Sequence, residues 1–541
     1  MIEVSREFKS AVYAPIRKTS AKVHFEILDN AAYEDVTLSA SSEAPLSRLW
    51  QVTNRARQTM NKYATFERDY FRLDGSFRIP PKPVDGDSEV GWWSGEISGA
   101  DGVFSTPQVI TLTFEEPHNS MGLTLSFDVL TNEYPSDFKI EVFQENNILI
   151  TSKLVEGHKG ASFVWVHGLD EYRKIVITFY KWAKPYRRAR LVNIDFGVFQ
   201  EYEGNKLIKV NLVEQMNVVG DTLPANELKF TIDNSSKEFN ILNPQGFYRF
   251  LKERQEVAVK LGVEIEEDTF EYITAKGFYL TDWQSDEGAL TTTFTARNIF
   301  ELLEKEYTQS TVSNLYELAE DILIKVGVAQ YFIDNTLKSI TTNGFNDKIT
   351  YRKALQCIGI ASKSAVYQDR EGTVIIKPFA ILDESTSYIN FTGFDVFTGM
   401  VTPTVYSGYD MKNITFDNVY KEPQISLEKL VQTFIMVVHS GGTKTEYTFA
   451  NDDVREGVSL KCDNPLINTF AHAQDVAKWI IDESNLRAIY QVNWRQNPAL
   501  ECGDIVFIED SFAAQKQSRI TKQEYEFAGY LSGKTEARGG V

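Results

Sequence analysis

The stretch 227–251, ELKFTIDNSSKEFNILNPQGFYRFL, decides the fold because it joins a strand pattern to a turn and leads into a second strand pattern. Leu228, Phe230 and Ile232 alternate with polar residues, which is the period of a β-strand with one buried face. Residues 233–236 (DNSS) then supply the short polar side chains that stabilise turns. The stretch therefore predicts an antiparallel strand–turn–strand unit.

The same pattern continues beyond this stretch and returns near the other end of the chain. After the turn residues 243–246 (NPQG), apolar alternation resumes over 257–263. Residues 494–507, WRQNPALECGDIVF, again read as strand, turn and strand. These blocks predict two related sets of strands, one in the first half of the chain and one at its end.

Length and composition indicate a folded protein of several domains. A chain of 541 residues suggests about three to five domains. Hydrophobic residues make up 43% and charged residues 24%, which is ordinary for globular proteins, and the 13% aromatic share favours β-rich domains. No window is apolar enough to span a membrane, and residues 1–10 lack the hydrophobic segment of a secretion signal. We therefore expect a chain without a membrane span or signal peptide.

Charge and cysteine content bear on partners and on the compartment. A formal net charge of −19 argues against sequence-specific nucleic-acid binding, which requires clustered Lys and Arg. The acidic charge either keeps the protein in solution or lines a channel through which DNA passes without adhering. Cys357, Cys462 and Cys502 are widely separated and form no CxxC pair, so we expect small buried residues made in a reducing cytoplasm.

Between the two strand blocks, the patterns predict a β-sandwich and a small α/β region. Short alternating strands recur from 90 to 199 with turn residues between them, as in a sandwich of about 110 residues. Apolar residues at helical spacing predict helices over 314–328, 351–364 and 468–487. Residues 63–79 contain Asp74-Gly75 and predict a hairpin, and the proline-rich residues 80–87 predict a linker.

Three stretches, 66–79, 227–251 and 494–531, resemble the tail hub proteins at the tip of long-tailed bacteriophages. Residues 91–107 (GWWSGEISGADGVFSTP) and 189–197 (ARLVNIDFG) resemble discoidin-like, or galactose-binding-like, jelly-roll modules. The resemblance implies a multidomain α+β fold dominated by β-structure, with two hub-type β-barrels, a β-sandwich module and a small α/β insert. The predicted domains are the N-terminal part of the first barrel (1–85), the sandwich (86–199), the remainder of the first barrel (200–310), the insert (311–386) and the second barrel with an associated helix (387–541).

This resemblance implies a structural protein of the virion tail tip, synthesised in the cytoplasm of a bacterial host. It would form a homotrimeric ring that closes the tail tube. It would anchor the distal tail protein, the tape-measure protein, and fibre or receptor-binding proteins. No C-terminal extension with a peptidoglycan hydrolase is expected.

Three alternatives stay open. The chain could be a carbohydrate-binding adhesin that grips host surface polysaccharide through the sandwich. It could be the hub of a contractile, phage-derived particle, or, because carboxylates are plentiful, a polysaccharide hydrolase.

Motifs for catalysis or metal binding are absent from the sequence. The six histidines are scattered without HExxH or HxH spacing, and neither GxSxG nor GxxxxGK[ST] occurs. We therefore expect no enzyme, no metal and no cofactor.

The best candidate binding site is the loop 181–190 of the sandwich, with Trp182, Tyr186, Arg187 and Arg188. Aromatic faces and guanidinium groups are the side chains that hold sugars. The alternative role of this loop is packing on a neighbouring domain or subunit. Trp92, Trp93 and Trp165 lie in strand patterns and are expected in the core.

Overall fold

The computed structural model describes residues 2–55, 62–80, 89–217, 220, 223–240, 242–243, 246–286, 288, 290–309, 311–328, 330–342, 344–378, 413–509 and 515–540. These residues form two compact units. The first unit consists of Met1–His24, Glu201–Lys237 and Glu256–Val541. The second consists of Phe25–Gln200 and Glu238–Gln255. The predicted sandwich, 86–199, lies wholly within the second unit, which begins some sixty residues earlier in the chain.

The described α-helices are few and short, in keeping with a β-dominated fold. They are α1 (Arg6–Ala11), α2 (Asn30–Asp35), α3 (Leu315–Val326), α4 (Tyr351–Ala361) and α5 (Phe470–Asn485). Short 3-10 turns occur at Leu49–Thr53, Glu145–Asn147, Gly204–Lys206, Phe247–Phe250, Ile299–Leu303, Asn335–Ser339 and Phe416–Asn418. The three helices expected from apolar periodicity are α3, α4 and α5, and this prediction is confirmed.

The strands of the first half of the chain are β1 (Thr19–Leu28), β2 (Thr37–Ala40), β3 (Trp92–Ile97), β4 (Val103–Ser126), β5 (Pro135–Phe143), β6 (Leu149–Val155), β7 (Ser162–Trp182), β8 (Arg188–Leu191), β9 (Asn193–Asp195), β10 (Gly197–Glu203), β11 (Leu207–Gln215), β12 (Glu227–Asp233) and β13 (Glu256–Glu266). Those of the second half are β14 (Thr269–Asp286), β15 (Thr291–Asn298), β16 (Tyr331–Ile333), β17 (Ser364–Gln368), β18 (Val374–Pro378), β19 (Asn413–Ile414), β20 (Gln424–Leu427), β21 (Val431–Ser440), β22 (Thr443–Ala450), β23 (Val458–Asp463), β24 (Ala488–Trp494), β25 (Ile505–Glu509), β26 (Gln515–Phe527) and β27 (Leu531–Gly539).

The main sheet has thirteen strands drawn from both ends of the chain. Its order is β10-β1-β13-β14-β15-β12-β11-β26-β27-β24-β20, with β25 paired to β26 and β19 paired to β25. The two predicted sets of hub strands contribute its two halves, which are β1 with β10 to β15, and β19 and β20 with β24 to β27. They meet where β11 pairs antiparallel with β26, from Val210 opposite Phe527 to Gln215 opposite Lys522. The strands of both sets are therefore hydrogen-bonded into one sheet.

The α/β region of the first unit packs around a shared apolar core. The three-stranded sheet β16-β18-β17 packs with α3 and α4, as predicted for the insert. The same core also takes in α5 and β21, which the sequence assigned to the following domain. Residues 379–412, where the predicted boundary between the two domains falls, lie outside the described residues.

The second unit is built on two long, bent strands. β4 and β7 pair antiparallel along most of their length and carry β2, β5, β6 and β9. The strand β4 is one continuous strand with irregular pairing near its middle. Gly122 allows this bend: its φ is +151°, and a Cβ there would lie 1.9 Å from the Trp165 carbonyl oxygen. The pair β3 and β8 lies over the sheet, with Trp92 stacked on Phe179, so the core is enclosed as in a sandwich.

Several local predictions have a definite outcome. Trp92, Trp93 and Trp165 are buried, as expected. The hairpin predicted over 63–79 is wrong: among the described residues only an isolated bridge joins Tyr63 and Arg78, and it is parallel, whereas the strands of a hairpin are antiparallel. Asp74 does form a local turn, in which it accepts a hydrogen bond from the Ser76 amide. The linker at 81–87 lies outside the described residues.

Of the three cysteines, Cys357 is buried as predicted, whereas Cys462 and Cys502 are partly exposed. Within the described part of the chain, no helix is long and apolar enough to cross a membrane.

Candidate functional site

The loop predicted to bind a ligand lies between β7 and β8 of the second unit, but its tryptophan faces inward. Trp182 is the last residue of β7, and its side chain is 0% exposed. Its ring packs edge-on against Phe127 and Phe179, with centroids 6.3 Å away in each case. The ring therefore belongs to the core, which corrects its predicted placement in a ligand-facing loop.

A β-bulge explains why the alternation misplaced Trp182. Phe138 pairs with Phe179, whereas Asp137 pairs with Lys181, so Tyr180 is an extra residue on β7. One extra residue transfers the following side chains to the opposite face of the strand. Consequently both Phe179 and Trp182 are buried, although they are three residues apart.

Tyr186 and Arg188 are half-buried and held by neighbouring groups. Tyr186 has a φ of +56°, and the Arg68 guanidinium lies 4.8 Å from its ring centroid. The Arg188 side chain donates to the carbonyl oxygens of Ser94 and Gly95. Burial lowers the pKa of Arg188. A glycan-binding role for this loop stays a prediction, and these contacts show which groups the loop already engages.

A buried charge cluster lies directly beneath the loop. Arg190 is 0% exposed; its Nη2 is 2.6 Å from Glu67 Oε2, and its Nη1 is 3.3 Å from Glu133 Oε2. The guanidinium lies between two rings, 3.9 Å from the Trp93 centroid and 4.3 Å from that of Tyr70. Burial opposes the charge, but Glu67 and the other neighbouring groups more than offset it and raise the pKa of Arg190. A buried cation with such partners fixes the segment around residue 67 to the sandwich.

Arg187 links the same elements at the edge of this cluster. Its Nε lies 3.0 Å from Glu133 Oε1, and Nη1 and Nη2 donate to the backbone carbonyls of Arg68 and Asp69. Lys184 donates to the carbonyl of Thr131 at 2.9 Å. The loop 181–190, the turn 128–133 and the segment 62–80 are thus brought together.

These three segments enclose a cavity of about 280 Å³. Its lining combines cationic, acidic, hydroxyl and aromatic side chains: Lys62, Asp69, Tyr70, Arg72, Asp74, Ser76, Phe77, Leu130, Thr131, Glu133, Lys184 and Arg187. Of the four predicted site residues, Arg187 alone lines it. More than half of the lining comes from 62–77. The dense aromatic and arginine content of this stretch was the only feature of the sequence that pointed to the cavity.

Among the described residues, no group of three or more His, Cys, Asp or Glu side chains is arranged to hold a metal ion.

Comparison with known proteins finds similar structures only. No family model matches the chain, and no curated protein does. A tail protein from Neisseria meningitidis MC58 is similar at 8% identity and a TM-score of 0.39, over 62% of this chain and 93% of that one. The 43 kDa tail protein of prophage MuSo2 from Shewanella oneidensis is similar at 13% identity and a TM-score of 0.39, over 62% of this chain and 94% of that one.

A third similar structure covers a smaller part of the chain. The family 32 carbohydrate-binding module of NanJ from C. perfringens, solved with galactose, is similar at 13% identity and a TM-score of 0.20, over 33% of this chain and 99% of that one. Tail proteins and a carbohydrate-binding module are what the sequence resemblance predicts. At such low identities and TM-scores the likeness carries no functional argument, which depends on the residues themselves.

Proposed function

We propose that this chain is the tail-tip hub of a phage or phage-like particle. In this role it forms a ring that closes the tail tube and anchors the distal tail, tape-measure and receptor-binding parts. Its function is mechanical, and it catalyses no reaction. The ring holds the tube closed and then opens to release the tape measure and the DNA.

One observation carries the proposal: the pairing of β11 with β26. This pairing unites strands from residues 19–298 and 413–539 in one sheet. An antiparallel ladder resists separation of its strands because every second pair of facing residues exchanges two backbone hydrogen bonds across the joint. The blocks that resemble tail hub proteins, 227–251 and 494–531, contribute strands to the two halves of this sheet. A sheet that joins both ends of the chain in this way suits a part that must hold a tube closed.

The end of the sheet offers a surface through which copies can join. β20 is the last strand in the order, and all four of its residues are exposed. Ile425 is 52% exposed and Leu427 is 53% exposed. Exposed apolar residues on an edge strand favour pairing with another chain. We place the contact between ring subunits here.

Mass determination in solution, combined with negative-stain imaging of the full chain, tests this proposal. We expect closed rings with an open centre and threefold symmetry. The I425K/L427K variant should shift the protein to monomers, because two lysines on an edge strand oppose pairing. The control variant I148K/L154K changes two exposed apolar residues of the second unit and should leave the rings intact. Rings that persist in I425K/L427K would contradict the assignment of this edge.

A second function, binding of surface polysaccharide, is favoured by the cavity that the loop 181–190, the turn 128–133 and the segment 62–80 form in the second unit. A site with aromatic rings and charged side chains at a concave surface is typical of saccharide recognition. Titration of the full chain against an array of bacterial surface glycans tests it. Residues 86–199 alone are unsuitable for this experiment, because Arg190 would lose Glu67 and Tyr70. Saturable binding would support this second function, and its absence across the array would contradict it.

A further inference from the structure

The cavity formed by 62–77, 130–133 and 184–187 is lined by more cationic than acidic side chains, although the chain as a whole is strongly acidic. Four cationic side chains line the cavity, Lys62, Arg72, Lys184 and Arg187, against three carboxylates, Asp69, Asp74 and Glu133. Lys184 is 46% exposed and lies 3.6 Å from Glu133, beyond hydrogen-bonding distance. Lys184, whose ammonium group donates to the Thr131 carbonyl, keeps further N–H donors for a ligand.

The acidic residues of the lining, in contrast, are already engaged. Glu133 is buried and shared by Arg187, Arg190 and Lys184. Asp69 lies 3.5 Å from Arg68. Asp74 accepts from the amide and hydroxyl of Ser76, which lower its pKa, and the attraction of Arg72 lowers that pKa as well. The charge that remains for a ligand to neutralise is positive.

The wall of the cavity adds a directional donor and an apolar surface. Tyr70 is 5% exposed, and its hydroxyl has no hydrogen-bond partner among the described residues. Burial raises the pKa of Tyr70 to about 12, so the hydroxyl keeps its proton at neutral pH. The Tyr70 and Phe77 rings meet edge to face with centroids 5.2 Å apart. Phe77, which is half-buried, offers aromatic surface to the C–H groups of a sugar ring.

We infer that this cavity binds an anionic sugar residue of a surface polysaccharide, with Lys62 and Arg72 pairing to its carboxylate or phosphate and Tyr70 donating to one of its oxygens. The inference rests on the second function proposed above and specifies its ligand. A cavity of about 280 Å³ is close to the lower limit of about 300 Å³ for ligand pockets, so it accommodates one residue of a polymer. The segment 62–77, which precedes the predicted sandwich in the sequence, supplies the charge selectivity of the site.

The experiment compares three polymers on the full chain by isothermal titration calorimetry. Hyaluronan oligosaccharides present carboxylates, poly(glycerol phosphate) presents phosphodiesters, and dextran is neutral. We expect binding to at least one anionic polymer, weakening as NaCl is raised, and none to dextran. The anionic polymer that binds identifies the recognised group.

Variants assign the binding to this cavity. K62A/R72A should weaken binding at least about tenfold, because charge-assisted hydrogen bonds are lost. K62R/R72K, which keeps both charges, should restore most of it, and Y70F should weaken it several-fold. The control K153A/K159A removes two exposed lysines of the same unit that do not line the cavity, and it should bind as the wild type does.

Equal loss in K153A/K159A and K62A/R72A, no loss in K62A/R72A, or no binding of either anionic polymer would overturn the inference. Dextran binding that K62A/R72A leaves unchanged would also overturn it, while the broader polysaccharide-binding function would stand. Absence of binding to any glycan of the array would contradict both.

Discussion

Replacing Arg370 with methionine should destabilise the first unit strongly, because Arg370 connects the α/β region to the main sheet. The residue lies in the turn between β17 and β18, and its side chain is 5% exposed. Its Nε and Nη2 each lie 2.8 Å from a carboxylate oxygen of Glu214, on β11. Nη2 also lies 2.8 Å from the Tyr525 hydroxyl, on β26, and the backbone carbonyls of Pro498 and Leu500 accept further hydrogen bonds.

The size of the expected loss of stability follows from the burial of Glu214, the ion-pair partner of Arg370. Burial opposes the positive charge, but the Glu214 carboxylate, followed by Tyr525, more than offsets it and holds the pKa of Arg370 well above its ordinary value. Arg370→Met would leave the Glu214 carboxylate, which is 8% exposed, without its partner. Removing one member of a buried ion pair costs about 3–5 kcal/mol. A matched control is Arg297→Met, whose ion pairs with Glu227 and Glu301 are much more exposed and contribute about 1 kcal/mol or less.

Hydrogen exchange measured at increasing urea concentrations provides the assay. The chain has two units, so a single two-state transition cannot be assumed, and exchange in β11 and β26 reports on the first unit alone. We expect Arg370→Met to lower the free energy of opening of these strands by several kcal/mol. The double variant R370M/E214L should lose less, since it removes the unpaired charge as well. A loss in Arg370→Met no larger than in Arg297→Met, or a double variant worse than the single one, would refute the reasoning.

Three further predictions concern burial, pH and capping. Trp182→Ala should lower the unfolding free energy of the second unit by about 3–5 kcal/mol, as expected for a core aromatic side chain. The control Trp50→Ala, at a residue that is 60% exposed, should cost about 0.5 kcal/mol or less in the same urea titration. Unchanged stability in Trp182→Ala would contradict the placement of Trp182 in the core. Burial raises the pKa of Asp128 above 3.8, so its contribution to the stability of the second unit is present in full below 3.8 and is lost as pH rises through the raised value. Thermal unfolding followed across acidic pH should show this loss in the wild type but not in Asp128→Asn, and identical pH profiles would count against it. Asn314 caps α3 by accepting a hydrogen bond from the Glu317 amide at 3.0 Å. Asn314→Ala should therefore lower the free energy of opening of α3 by about 1 kcal/mol, measured by hydrogen exchange of the α3 amides. Unchanged exchange would show that the cap does not stabilise the helix.

Elements specified by local chemistry were predictable from the sequence. The helix α3 has apolar residues at helical spacing, a capping Asn314 at its start and Gly327 in the left-handed region, with a φ of +82°, at its end. The strands β12 and β13 follow from alternation in the same way. In each case the signal lies within a few residues of the element that it specifies.

Features that depend on distant residues were not predictable. The bulge at Tyr180 reverses the buried face of β7 through its pairing with β5, so alternation along β7 alone placed Trp182 outside the core. Arg190 and Glu67 are 123 residues apart, and nothing local to either indicates the ion pair between them. The edge-to-edge joint of β11 and β26 likewise depends on tertiary pairing. For the same reason the sequence indicated only one of the residues that line the cavity, Arg187.

Immunogold labelling of assembled particles tests the central claim most directly. Antibodies against this chain would be applied to particles produced from the genome that encodes it and imaged by electron microscopy. The account predicts gold at the distal end of the tail, opposite the capsid in a phage. Label spread along the tube, label at the capsid, or particles without label would contradict a tail-tip hub.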